Sequence, residues 1–185
     1  MKRFAGLLLL MGCSSSSSQR DRIEMSFRFE GALAGTRDIA LLEDATAGPR
    51  IACVLHKSEL VVSAVQNHGE RHGTGVYLRV SPFHGPATYT FTDADRAWAF
   101  DDGHIQLCTR ADDRACFQGS GGCSLTLDQW ELGPAGADYP AGVQVGVAHG
   151  RFDCPSLSNV NTAATIGVRD GFFRCRAEDW TNAGG

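Results

Sequence analysis

Between Ile23 and Glu30 every odd residue is apolar and every even one polar, in the order Ile-Glu-Met-Ser-Phe-Arg-Phe-Glu. Successive side chains of an extended chain point to opposite faces, so the alternation fits a strand with one dry and one wet face. Strand-like runs follow at Arg50 to His56, Glu59 to Gln66, Val76 to Ser81, Ala87 to Thr92, Arg96 to Phe100 and His104 to Thr109. Later ones are Cys123 to Glu131, Val143 to His149, Arg151 to Cys154, Thr165 to Arg169 and Phe172 to Arg176. The 22 glycines fall mostly between the runs, where turns require positive φ, and Asp102-Gly103 is a two-residue hairpin signal. No segment keeps a helical period beyond about three turns, and Arg37 to Ala45 reads equally as a short helix or as a strand and turn. Many short strands at regular spacing predict an all-β domain: an antiparallel β-sandwich, with a β-barrel as the alternative.

Two segments share the pattern Gly-x-Phe-x-Cys, at Gly150 to Cys154 and Gly171 to Cys175. In an extended chain the Phe and Cys of each share a face. With glycine opening each strand, the simplest reading is two core strands of one sheet. A duplicated binding unit is the less favoured reading, because solenoids need three or more units to bury a core.

The chain opens with Lys2 and Arg3, an apolar run from Phe4 to Met11, then Gly12 and Cys13. Eight apolar residues are too few to cross a bilayer as a helix but match the apolar region of a cleaved export signal. Leu10-Met11-Gly12-Cys13 resembles the lipobox of bacterial lipoproteins, and Ser14 to Ser18 resemble the serine tether that often follows it. The resemblance covers residues 1–13 alone. It implies that Met1 to Gly12 are removed and that Cys13 carries diacylglycerol, with a palmitate-type acyl chain on the new amine. Two or three acyl chains hold a protein to a membrane stably, where one is marginal. It implies three parts: a signal peptide at 1–12, the lipidated Cys13 with a polar tether at 13–22, and one β-domain at 23–185. The expected location is the bacterial cell envelope, at the outer membrane in a Gram-negative cell.

Cysteine usage is read separately and agrees with export. Apart from Cys13 there are six, at 53, 108, 116, 123, 154 and 175, an even number with no Cys-x-x-Cys zinc knuckle. Cys108 and Cys116 flank a polar stretch suited to a loop, so proximity favours joining them. Cys123 shares a strand face with Leu125 and Leu127, as Cys154 does with Phe152, which favours a bridge across the core. Cys53, aligned with Ile51 and Leu55, is then left for Cys175. The rival pairing joins Cys154 to Cys175 as neighbours on adjacent strands.

Charge excludes some partners. The chain carries −4, and loss of Lys2 and Arg3 with the signal makes it −6, the wrong sign for nucleic acid or for electrostatic docking on anionic lipid. Five of the six histidines adjoin a glycine, which places them at strand ends and turns. His68, Glu70 and His72 form the densest candidate metal set. However, a glycine-rich loop does not hold a His-x-x-x-His pair as a helix would, so no metal and no other cofactor is expected. Carboxylates at Asp93, Asp95, Asp101, Asp102, Asp112 and Asp113 suit turns and caps. Trp98, Trp130 and Trp180 are candidates for stacking on a sugar only if exposed side by side. There is no Gly-x-Ser-x-Gly elbow and no His-Glu-x-x-His. These features point to a non-catalytic binding or structural module, anchored to the membrane by lipid, with an envelope protein or glycan as partner through rim loops such as Asn67 to Gly75 and Gly133 to Gly142. Two alternatives stand beside it: a metal-dependent or hydrolytic enzyme built on loop histidines, and a self-assembling envelope protein.

Overall fold

The computed structural model describes residues 22–32, 39–42, 50–67, 73–91, 104–108, 116–119, 122–159 and 162–184. They form eleven strands and no helix: β1 Glu24–Gly31, β2 Ile39–Leu42, β3 Arg50–His56, β4 Glu59–Asn67, β5 Gly73–Val80, β6 Thr88–Thr90, β7 His104–Cys108, β8 Cys116–Gly119, β9 Ser124–Pro134, β10 Gln144–Asn159 and β11 Thr165–Asp179. The expected signal, Cys13, the tether up to residue 21, the His68–Glu70–His72 set, the Asp102-Gly103 turn, the run from Arg96 to Phe100 and Trp98 lie outside the described residues. Within Arg37 to Ala45, the part described is strand β2.

The strands join in one sheet, ordered β2-β1-β11-β3-β4-β5-β7-β8-β10-β9-β6, with β10 also paired to β11. This sheet curls into a half-barrel. Among the described residues its far side returns to β10 through Phe117 with Asn159 and Gln118 with Ser158. The expectation of a purely antiparallel sheet is corrected by one ladder: β3 runs parallel to β11, from Ala52 beside Arg176 to Leu55 beside Asp179. A parallel neighbour requires a long crossover rather than a hairpin, and the chain between β3 and β11 supplies one by building most of the sheet.

Alternation decides which side becomes core. Met25, Phe27 and Phe29 of β1, Ile51, Cys53 and Leu55 of β3, and Leu60, Val62 and Ala64 of β4 are all buried, while their neighbours in sequence face outward. Phe27 lies 5.3 Å from Phe29 and 5.8 Å from Phe152 between ring centroids, so β1 and β10 meet through aromatic rings. Full burial of such a side chain contributes about 1.5–3 kcal/mol by apolar area alone.

A second correction concerns Gly150 and Gly171. Neither opens a strand; each lies inside one, because β10 and β11 run unbroken for 16 and 15 residues. In the antiparallel register Gly150 faces Phe173 and Phe152 faces Gly171, so the Gly-x-Phe-x-Cys segments lie across from one another head to tail. A Cβ at Gly150 would stand 2.7 Å from the Phe173 ring, and one at Gly171 would stand 2.7 Å from the Phe152 ring. Each ring therefore occupies the space left by the glycine opposite, and the ring in turn shields that glycine's backbone.

The cysteine that ends each segment ties its strand to a neighbour. Cys175 is bonded to Cys53 with Cα atoms 5.7 Å apart, and Cys154 to Cys123. Cys108 and Cys116 stand directly opposite in the β7–β8 ladder.

Candidate functional site

Four strands build a polar row on the outer face of the sheet. Register places Thr88 opposite Thr126, Thr126 opposite Arg151, and Arg151 opposite Phe172, crossing β6, β9, β10 and β11 in turn. One step along, Ser124 of β9 pairs with Asp153 of β10. With Phe152, Asp170 and Gly171 these residues line an open cleft of about 470 Å³. The volume is within the usual range for small-molecule sites, roughly 300–1,000 Å³.

Irregular pairing shapes the cleft. Between β9 and β10 the register steps from Gln129–His149 to Leu127–Gly150, which leaves Asp128 without an opposite residue. Between β10 and β11 it steps from Phe152–Gly171 to Cys154–Val168, which sets Asp153 against Arg169 and Asp170. Asp170 adopts φ 53°, a left-handed conformation that Asp tolerates better than most non-glycine residues. Bulges bend a strand and re-aim its side chains. Here each irregular stretch carries an aspartate.

Every one of these carboxylates meets a guanidinium. Arg151 donates from Nε and Nη2 to the two oxygens of Asp128, at 3.2 and 2.9 Å. Arg169 donates from Nε to Glu30 at 3.2 Å and from Nη1 to Asp153, so one side chain bridges two strands. Arg28 stands 3.4 Å from Asp170. His149 lies on the same face, its Nδ1 4.0 Å from Asp128. The two cleft threonines share a hydroxyl–hydroxyl hydrogen bond of 3.0 Å. Phe172, half-buried, is the apolar ring among these outward-facing polar groups.

The Arg151 fork holds the Asp128 carboxyl below its ordinary value, first through its hydrogen bonds and then through its charge, with His149 adding a smaller electrostatic effect. Asp128 raises Arg151 in return, and Glu30, ahead of Asp153, raises Arg169. Because the folded value of Asp128 lies below the unfolded one, the stability it contributes is complete above the ordinary carboxylate range. It is lost as acid takes the pH down through the lowered folded value. The pair is exposed, so the contribution is small, but the titration itself is measurable. Carboxyl carbon NMR should give Asp128 a lower midpoint in the native chain than in Arg151→Ala; equal midpoints would disprove the coupling.

The described histidines lie on separate elements. His56 ends β3, His84 lies in the loop before β6, and His104 begins β7. His149, expected at a strand end beside Gly150, lies within β10 because that glycine does not break the strand. Among the described residues no group of three or more His, Cys, Asp or Glu is placed to hold a metal ion, and no helix is long and apolar enough to cross a membrane. Trp130 lies against Phe83 at 5.2 Å and Trp180 against Tyr139 at 6.2 Å, in separate clusters.

The fold and cleft together define an all-β, disulfide-tied protein with an open polar site on the face of its sheet. No family model, no curated protein and no solved structure matches the chain.

Proposed function

We propose that this chain is an exported, lipid-anchored protein of the bacterial cell envelope whose β-domain is a non-catalytic binding module. The observation that carries the reading is the pair of disulfides, Cys53–Cys175 and Cys123–Cys154, buried in the core of the domain. Stable structural disulfides belong to oxidising compartments, and these lie far in sequence from the signal and lipobox that point to the same address. On the fold, we read the half-barrel as a sandwich whose two curled halves face each other across one core.

Binding rather than catalysis is supported by the chemistry of the cleft. Among the described residues no histidine or cysteine lines it, and its carboxylates are committed to arginines. Self-assembly through sheet edges gains less support, since the described parts of the two end strands, β2 and β6, span four and three residues. The reading is tested on the full chain expressed in a bacterium. Wild type should sediment with membranes and carry acyl mass, and Cys13→Ala should leave the membrane fraction. A mature wild-type protein without acyl chains would refute it.

A further inference from the structure

We propose that the cleft between β6, β9, β10 and β11 is a binding site for a neutral saccharide; this rests on the reading of the domain as a binding module. Three properties of the site select that chemistry. The first is charge pairing, three arginines being set against four carboxylates. The carboxylates of the cleft and the arginines around them are already joined as Arg28–Asp170, Arg151–Asp128 and Arg169 with Asp153 and Glu30. A charged ligand competes with these pairs for the same groups, whereas a neutral one leaves them in place.

The second property is hydrogen-bonding capacity. Each carboxylate oxygen has lone pairs beyond those its arginine uses, and the Arg151 fork, formed through Nε and Nη2, leaves Nη1 as a further donor. Thr88, Ser124 and Thr126 add hydroxyls that donate or accept. Sugar hydroxyls also act as both donor and acceptor, so they match a surface that offers both at close spacing. The third is Phe172. Its half-buried ring gives the cleft one apolar platform, suited to the C–H face of a sugar ring. An open cleft of about 470 Å³ has room for a ligand of sugar size.

The cross-strand register also explains why these groups hold their positions before any ligand arrives. Thr126, Arg151 and Phe172 stand in one row on three paired strands, and ion pairs restrain the arginines around them. A preorganised site loses less side-chain freedom on binding.

The test uses the full chain purified from membranes in a detergent without a sugar headgroup. Chitobiose, cellobiose and maltose are the neutral probes; a sulfated heparin disaccharide and trilysine are the charged ones. Calorimetry should detect at least one neutral disaccharide and neither charged probe. Phe172→Leu, which keeps apolar bulk without a ring, and Arg151→Ala should each weaken that binding by about tenfold while the thermal unfolding midpoint stays near wild type. A tetrasaccharide binding more tightly than its disaccharide would assign the site to a glycan chain, and equal affinity to a free sugar. Binding of a charged probe alone, or binding unchanged in both variants, would overturn the proposal, as would silence from every neutral saccharide. Membrane fractionation of the same preparation reports on the anchor separately, so a failed saccharide site and a failed lipoprotein reading are distinguishable.

Discussion

Replacing Cys53 and Cys175 together by alanine should lower the free energy of unfolding by roughly 5 kcal/mol in the chain-entropy model, because that bridge closes a loop with a sequence separation of 122. The Cys123→Ala/Cys154→Ala pair, with a separation of 31, should lose roughly 4 kcal/mol on the same basis. A domain of this size has about 5–15 kcal/mol in total, so either change takes a large share. Urea unfolding of the two double variants, compared with wild type, measures both values. Losses below about 1 kcal/mol would mean that the packing around these strands, rather than the bridges, restrains the chain.

The reciprocal glycine–phenylalanine pairs give the second large effect. Phe173 is fully buried opposite Gly150, so Phe173→Ala should destabilise the domain by about 3–5 kcal/mol through lost contacts and a cavity over the glycine. Gly150→Ala should cost about 1–3 kcal/mol for the opposite reason, since its new methyl collides with the Phe173 ring and the Thr126 carbonyl. The two sites are then coupled. Gly150→Ala combined with Phe173→Leu should be less destabilised than the sum of the single changes, by about 0.5–3 kcal/mol in a double-mutant cycle. Additive losses would show that the ring and the glycine do not share one space.

How much of this was legible beforehand differs from element to element. The alternation in β1 spans Ile23 to Glu30 in sequence and Glu24–Gly31 in the structure, because a strand with one wet face has a period that local sequence can carry. The inward direction of Cys53, Cys123, Cys154 and Cys175 follows from the same period, and buried cysteines on strands that meet have few partners to choose among. The lengths of β10 and β11 were hidden. A glycine within an apolar run normally marks a turn, and only the opposing ring explains why Gly150 and Gly171 stay extended. The parallel pairing of β3 with β11 was equally hidden, since it joins residues more than a hundred positions apart. The cleft suffered most. Thr88, Thr126, Arg151 and Phe172 become neighbours only through three successive registers, and Asp128, Asp153 and Asp170 acquire their positions from shifts in those registers. In sequence they look like ordinary wet-face residues. The histidines drew attention for their chemistry, yet the outer-face charges are what the sheet brings together.

The place of β11 in the sheet has a consequence for the order of assembly. This strand pairs with β1 and β3 along one edge and with β10 along the other. Synthesis proceeds from the amino end, so β11 emerges after all three of its partners. Until it arrives, β1 and β3 have no common neighbour, and the edge of β10 that will receive it lies open. Such edges are templates for pairing with the wrong chain. The sheet is complete only once β11 has joined β1, β3 and β10. Among the described residues, a chain halted before Thr165 has no native pairing that links β1 to β3, and its open edges invite aggregation or proteolysis.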